Sequence, residues 1–177
     1  MSENSTLDRI DRQLVAALRK NARLSNKELA ARVGLSASSC LERVRRLESR
    51  GVLRGYHAEV DPRALGVGLQ AVVAVRLSRH SRALVDSFRE HVLGTPEVRM
   101  VYHVAGASDF LLHVAVRDPE HLRELVLSAF TVRPEVAHVE TALIFEQLRN
   151  PELPFFSRAG EDVPAVTRAG RAPRRDP

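Results

Sequence analysis

Apolar positions in the first fifty residues recur at helical spacing and are interrupted at polar junctions. Leu7, Ile10, Leu14, Ala17 and Leu18 follow a 3.6-residue period and predict a helix over residues 7–20. Leu29, Ala30 and Val33 give a second, shorter helix one apolar face. It opens on Ser25-Asn26-Lys27-Glu28, a capping box in which hydroxyl and carboxylate each satisfy an amide at the helix start. Val33-Gly34-Leu35-Ser36 predicts a tight turn, with Gly34 free to take positive φ and Ser36 capping a third helix. Leu35, just before that cap, is placed to pack against Cys40 in the first turn. Cys40, Val44 and Leu47 make the buried stripe of the third helix, with Ala37 and Leu41 beside it; Gly51 ends it after Arg50. Ser38, Ser39, Glu42, Arg45, Arg46 and Ser49 fall on or near the opposite face, with Arg43 on its flank.

The pattern then changes. Residues 52–60 alternate loosely and predict a strand that closes this head, and residues 61–68, with one Pro and two Gly, predict a hinge. Val-rich residues 69–78 read as a strand. Residues 82–93, with Leu84, Val85, Phe88 and Val92 on one face, read as a helix. Two strands follow, over 98–104 and 110–116, joined by the turn Ala105-Gly106-Ala107-Ser108-Asp109. Residues 119–130 predict a helix with Pro119 in its first turn, and residues 136–148 a last strand. The expected fold is α+β: a winged-type helix-turn-helix over 1–60, a linker over 61–68, and a ferredoxin-like β-α-β-β-α-β domain over 69–150. The sheet face away from the helices also carries apolar side chains, so a second copy is expected to cover it. Residues 1–6 are expected to fray, and residues 151–177, which hold five of the nine prolines, are expected to be a disordered tail.

Composition sharpens this picture. The 177 residues suffice for two small domains, and a single cysteine excludes an internal disulfide and suits a reducing cytoplasm. No apolar run approaches the roughly 18 residues of a membrane span, and the first residues lack a signal-peptide core, so a cytoplasmic protein with no membrane partner is expected. The net charge of +5 is uneven: residues 1–57 hold twelve Arg and Lys against six Asp and Glu, whereas residues 58–150 hold ten against twelve. Positive charge therefore collects on the segment with the helix pair, where a phosphate footprint belongs. Arg suits guanine edges and phosphates, and Glu accepts from cytosine. A solvated basic face would look the same on the third helix alone; the turn and the helix before it favour DNA.

These residues together resemble the Lrp/AsnC family of leucine- and asparagine-responsive regulators. The matching stretches are Leu7-Asp8-Arg9-Ile10-Asp11, Leu24 to Ala30, Val33 to Ser36, Cys40 to Glu48, Gly51 to Tyr56 and Gly106 to Phe110. The resemblance covers residues 7 to about 150 and implies a transcription regulator, not an enzyme, that binds double-stranded DNA. It further implies a homodimer built through the ferredoxin-like domain, assembly to octamers, and an amino acid as effector rather than a cofactor. On that resemblance Ser36, Ser38, Ser39, Glu42, Arg43, Arg45 and Arg46 would face DNA, with Arg43, Arg45 and Arg46 on phosphates or guanines. His103, Gly106, Ala107, Ser108 and Asp109 would line the effector pocket, Asp109 pairing with an α-ammonium. Thr141, Ala142 and Leu143 would approach from a neighbouring subunit. Without the resemblance, residues 106–109 read as an ordinary hairpin turn.

Two alternatives share the architecture. Siroheme decarboxylases resemble it without needing DNA, and an architectural DNA-wrapping protein would need no effector. Three guanidiniums beside two serines on one helix argue against the first. The seven histidines show no ligand spacing on one helix, although His103 and His113, on adjacent predicted strands, could meet across the sheet. Cys40, on the packed stripe, reads as a small buried thiol.

Overall fold

The computed structural model describes residues 7–79, 81–148 and 150, so the expectations for 1–6 and 151–177 lie outside the described residues. The chain divides into two compact units that part between Arg54 and Gly55.

In the first unit, α1 (Arg9–Lys20), α2 (Asn26–Val33) and α3 (Ala37–Ser49) follow one another as expected. The first starts two residues later than periodicity implied, because Asp8 is its cap and accepts from the Asp11 amide at 2.8 Å. Ser25 and Glu28 close the capping box of α2, and Gly34 ends that helix at φ 70°. Gly51, at φ 69°, follows the Arg50 cap of α3, the left-handed position expected there. The core of this unit is Leu14, Val15, Leu18, Leu29, Ala30, Val33, Cys40 and Leu47, with Leu35 and Val44 packed against it. Ala37 and Leu41, expected beside the buried stripe, are instead exposed, since no described element packs on that side of α3.

The strand expected over residues 52–60 does not form, and residues 54–61 are all exposed. Alternation alone cannot make a strand, which requires a partner to take its amides and carbonyls. Residues 61–68 form a 3₁₀ turn, Pro62–Leu65, capped by Asp61 and closed by Gly66 in the left-handed region. Gly68 then donates to the Val116 carbonyl at 3.0 Å. A Cβ at position 68 would lie 2.2 Å from the Arg117 carbonyl oxygen, so only glycine permits this approach.

The second unit runs β1 (Leu69–Leu77), α4 (Arg82–Leu93), β2 (Val98–His103), β3 (Phe110–Val116), α5 (Pro119–Leu125) and β4 (Val136–Leu143). Its sheet is antiparallel in the order β2-β3-β1-β4, the ferredoxin-like arrangement anticipated from the element order. Strict alternation sends Ala71, Val73, Val75 and Leu77 to one face with Phe110, Leu112, Val114 and Val116. There they pack on Phe88 and Val92 of α4, Leu122 and Leu125 of α5, and Phe130.

Two ends differ from the pattern. The helix expected to Phe130 is α-helical only to Leu125 and continues as a π-helical turn, Val126–Thr131. The wider turn carries Phe130, five residues after Leu125, into the core and leaves Ala129 at its margin. The last strand stops at Leu143, because β1 begins at Leu69 and offers only the Gln70 carbonyl, taken by Ile144, beyond that point.

The opposite sheet face carries Met100 and Tyr102 of β2, Leu111 and His113 of β3, Val72 and Ala74 of β1, and Ala142 of β4, as the pairings dictate. Met100 and Tyr102 are each 47% exposed, large apolar surface that no described element covers.

Candidate functional site

Helix α3 is fixed at its start by side chains of its own sequence. The Ser36 hydroxyl accepts from the Ser39 amide at 3.2 Å and lies within hydrogen-bond distance of the Ser38 and Ser39 hydroxyls. Ser36 is thereby committed as the helix cap. Asn26 of α2 donates to the Ala37 carbonyl at 2.6 Å and ties the two helices across the turn. No local pattern announced this bond, since the pair is eleven residues apart.

Ser38, Ser39, Glu42 and Arg45 are exposed along the outward side of α3. Among the described residues no ion pair holds Glu42 or Arg45. Arg43 and Arg46 behave differently: both guanidiniums turn back to α1. Arg43 reaches Asp8 at 2.5 Å and Asp11 at 2.9 Å, and Arg46 reaches Asp11 at 3.2 Å. Asp11 is only 2% exposed, a carboxylate in the heart of the head. Burial pushes the Asp8 carboxyl up, but hydrogen bonds from Arg43 and the Asp11 amide outweigh this and hold it below the ordinary value. Asp8 therefore adds stability that is present at neutral pH and lost as acid protonates it. Its hydrogen bond to Asp8, then that to Asp11, raises Arg43 in turn. The expectation that all three arginines serve alike thus meets a division of labour: Arg45 faces outward, while Arg43 and Arg46 already have partners. Cys40 is fully buried, and burial pushes its thiol up.

The turn between β2 and β3 is shaped by Gly106, at φ 151°. Ala105, Gly106 and Ala107 are exposed, Ser108 is half-buried, and His103 leads in, its ring stacked on Phe110 at 4.8 Å. Asp109 is not presented to solvent. Its Oδ2 accepts from the Leu77 amide at 2.7 Å, its amide donates to the Val75 carbonyl, and its carbonyl accepts from the Val104 amide. The carboxylate takes over where the β1–β3 ladder ends, satisfying an amide that β3 no longer reaches. Asp109, expected to pair with an α-ammonium, thus holds the frame of the turn through this bond. Asp109→Ala should leave the Leu77 amide unsatisfied and cost about 1–3 kcal/mol, read as a lower urea midpoint for the effector unit. An unchanged midpoint would show that solvent replaces the carboxylate.

Thr141, Ala142 and Leu143 are exposed on β4, opposite Val73, Val72 and Ala71. Asp109 meets β1 at Leu77, four residues and about 13 Å along the strand from Val73. The two sets also flank β1 on opposite sides, so one chain does not bring them together. His103 shares the Phe110 side of the sheet and His113 the other, where it bonds Gln70 at 2.9 Å; they do not meet. Among the described residues no group of His, Cys, Asp and Glu is placed to hold a metal, and no helix is long and apolar enough to cross a membrane.

Residues 7–48 match the AsnC-type helix-turn-helix domain, and residues 70–153 the Lrp/AsnC ligand binding domain. The HTH-type transcriptional regulator AldR of Mycolicibacterium smegmatis is 46% identical over 143 residues, covering 81% of this chain and 84% of AldR. The leucine-responsive regulatory protein of Rhizobium meliloti is 38% identical, over 81% of this chain and 92% of its own. A feast or famine regulatory protein from M. tuberculosis, solved in complex with L-methionine, aligns at TM-score 0.75 and 36% identity, covering 82% and 96% of the two chains.

Proposed function

The chain belongs to the Lrp/AsnC family of transcription regulators, and on that premise we propose how its two units divide the work. It is a DNA-binding regulator modulated by a small effector, and not an enzyme. The outward side of α3 enters the major groove, with Ser38, Ser39 and Glu42 near its start tuning base choice and Arg45, further along, on phosphate. The observation that carries this reading is the exposure of these four side chains on a helix capped by Ser36 and tied to α2 by Asn26.

The effector is an amino acid. A methionine complex of a structural neighbour and the leucine-responsive name of a relative support this class. His103 and the open turn Gly106 to Ser108 form one wall of its site, with Thr141, Ala142 and Leu143 of a neighbouring copy as the other. Gly106 leaves room for backbone amides to approach a carboxylate: no atom lies within 4 Å of where its Cβ would stand. The uncovered face with Met100, Tyr102, Leu111 and Val72 is where a second copy packs to form the dimer, and octamers build on it. Such a protein works in the cytoplasm.

Footprinting on the DNA upstream of its own gene, with and without each common amino acid, tests this. A protected site that changes with one or a few of them is expected. Protection indifferent to all of them would favour an architectural role.

A further inference from the structure

Three guanidiniums lie on or beside the outward side of α3, and two are withheld by α1. Asp11 receives Nη1 of Arg43 at 2.9 Å and Nη2 of Arg46 at 3.2 Å, and Asp8 receives Arg43 again at 2.5 Å. The four charges cancel within this cluster. Its centre is dry: the Asp11 side chain is 3% exposed, against 49% for Arg46 and 28% for Arg43. A carboxylate so placed cannot exchange its partners for water without being left a buried, unpaired charge. Phosphates must compete for these arginines against an acid that is already desolvated.

We propose that Asp11, seconded by Asp8, is a specificity-determining positioning residue for DNA recognition. It keeps Arg43 and Arg46 off the phosphate backbone and fixes the rotation of α3 about its axis, so that Ser38, Ser39, Glu42 and Arg45 are the side chains presented. This rests on the assignment of α3 as the reading helix.

The physical gain is in discrimination. Binding to DNA of any sequence grows with the number of phosphates neutralised, each adding about 0.9 to the slope of log K against log salt. Two arginines free to find any phosphate would let α3 settle in orientations that gain phosphates without the base contacts, raising affinity for shuffled sequences more than for the specific one and eroding the margin. Held by Asp11, they add nothing to the background. The link also joins α1 to α3 across 32 and 35 residues of sequence, clamping the reading helix at two successive turns.

The test compares the wild type, Asp11→Asn, Arg46→Gln and the double variant. Salt dependence of binding is measured on a duplex enriched by this protein from a random-sequence pool and on a shuffled duplex of equal length. Asp11→Asn should steepen the slope by about 0.9 for each guanidinium released. It should also reduce the ratio of specific to shuffled affinity about tenfold, the discrimination of roughly one base contact. Arg46→Gln alone should leave the slope unchanged, and in the double variant it should take back one increment. A purely structural role for Asp11 would instead weaken both duplexes together with no change of slope, and that result overturns the proposal. If Asp11→Asn does not fold, Arg46→Gln decides: an unchanged slope supports the clamp, and a slope flatter by about 0.9 overturns it. A wild type with no preference between the duplexes would overturn the reading-helix assignment itself; a selective wild type with an inert Asp11→Asn overturns only the clamp.

Discussion

Phe110→Ala is expected to cost the effector unit about 3–5 kcal/mol, much of the stability of a domain this size. Phe110 is fully buried at the first position of β3, tilted against Phe88 at 5.0 Å and covered by the stacked ring of His103. It stands opposite Val75 of β1 in a core of thirteen buried residues among those described, which also seats Phe130. Truncation removes the ring's burial and leaves a void that neighbouring strands, locked in their ladder, can fill only in part. Because Asp109 is the preceding residue, the turn carrying the proposed effector wall loosens as well. Denaturation followed by circular dichroism should show this as an early loss of strand signal. The head, whose core shares no residue with this one, should keep its own transition. An unshifted transition of the effector unit would mean that the sheet tolerates the cavity, against everything its packing implies.

Arg45→Ala is expected to weaken binding to the enriched duplex by about tenfold or more per reading helix. That follows from losing a charge-assisted hydrogen bond of about 1.5–3 kcal/mol. Arg45 is exposed on the outward side of α3, one turn after Glu42 and Leu41, and no described acid holds it. A phosphate contact fixes how the loss should look: similar on specific and shuffled duplexes, with a salt slope flatter by about 0.9. Glu42→Ala should do the reverse, changing which bases are preferred while leaving the slope in place. Loss for Arg45→Ala confined to the enriched duplex would move Arg45 from phosphate to a base edge.

What sequence could foretell divides along a physical line. Caps and turns are local, so Ser25, Glu28, Gly34 and Ser36 announced α2, the turn and the start of α3 within a few residues of one another. The sheet order was legible because strands and helices differ in period and the element order admits few topologies. Asp11 was not legible. A carboxylate at a helical position reads as surface until two arginines more than thirty residues away are placed beside it. The bond from the Leu77 amide to Asp109 was hidden for the same reason, its partners standing thirty-two residues apart. The π-helical end of α5 escaped because Leu122, Leu125 and Ala129 suit an α-period, and only the demand for Phe130 in the core widens the turn. Residues 52–60 alternate loosely as a strand would, yet among the described residues no strand pairs with them.

The central claim is that an amino acid bound by the second unit changes what the first unit does on DNA. It is tested most directly by titrating the full chain onto the enriched duplex in the presence of each common amino acid at saturating concentration. The account predicts that one or a few amino acids shift the apparent Kd at least fivefold, about 1 kcal/mol of coupling, and that DNA shifts the affinity for those amino acids by the same factor. Equal Kd values with all of them, alongside retained sequence preference, would contradict it.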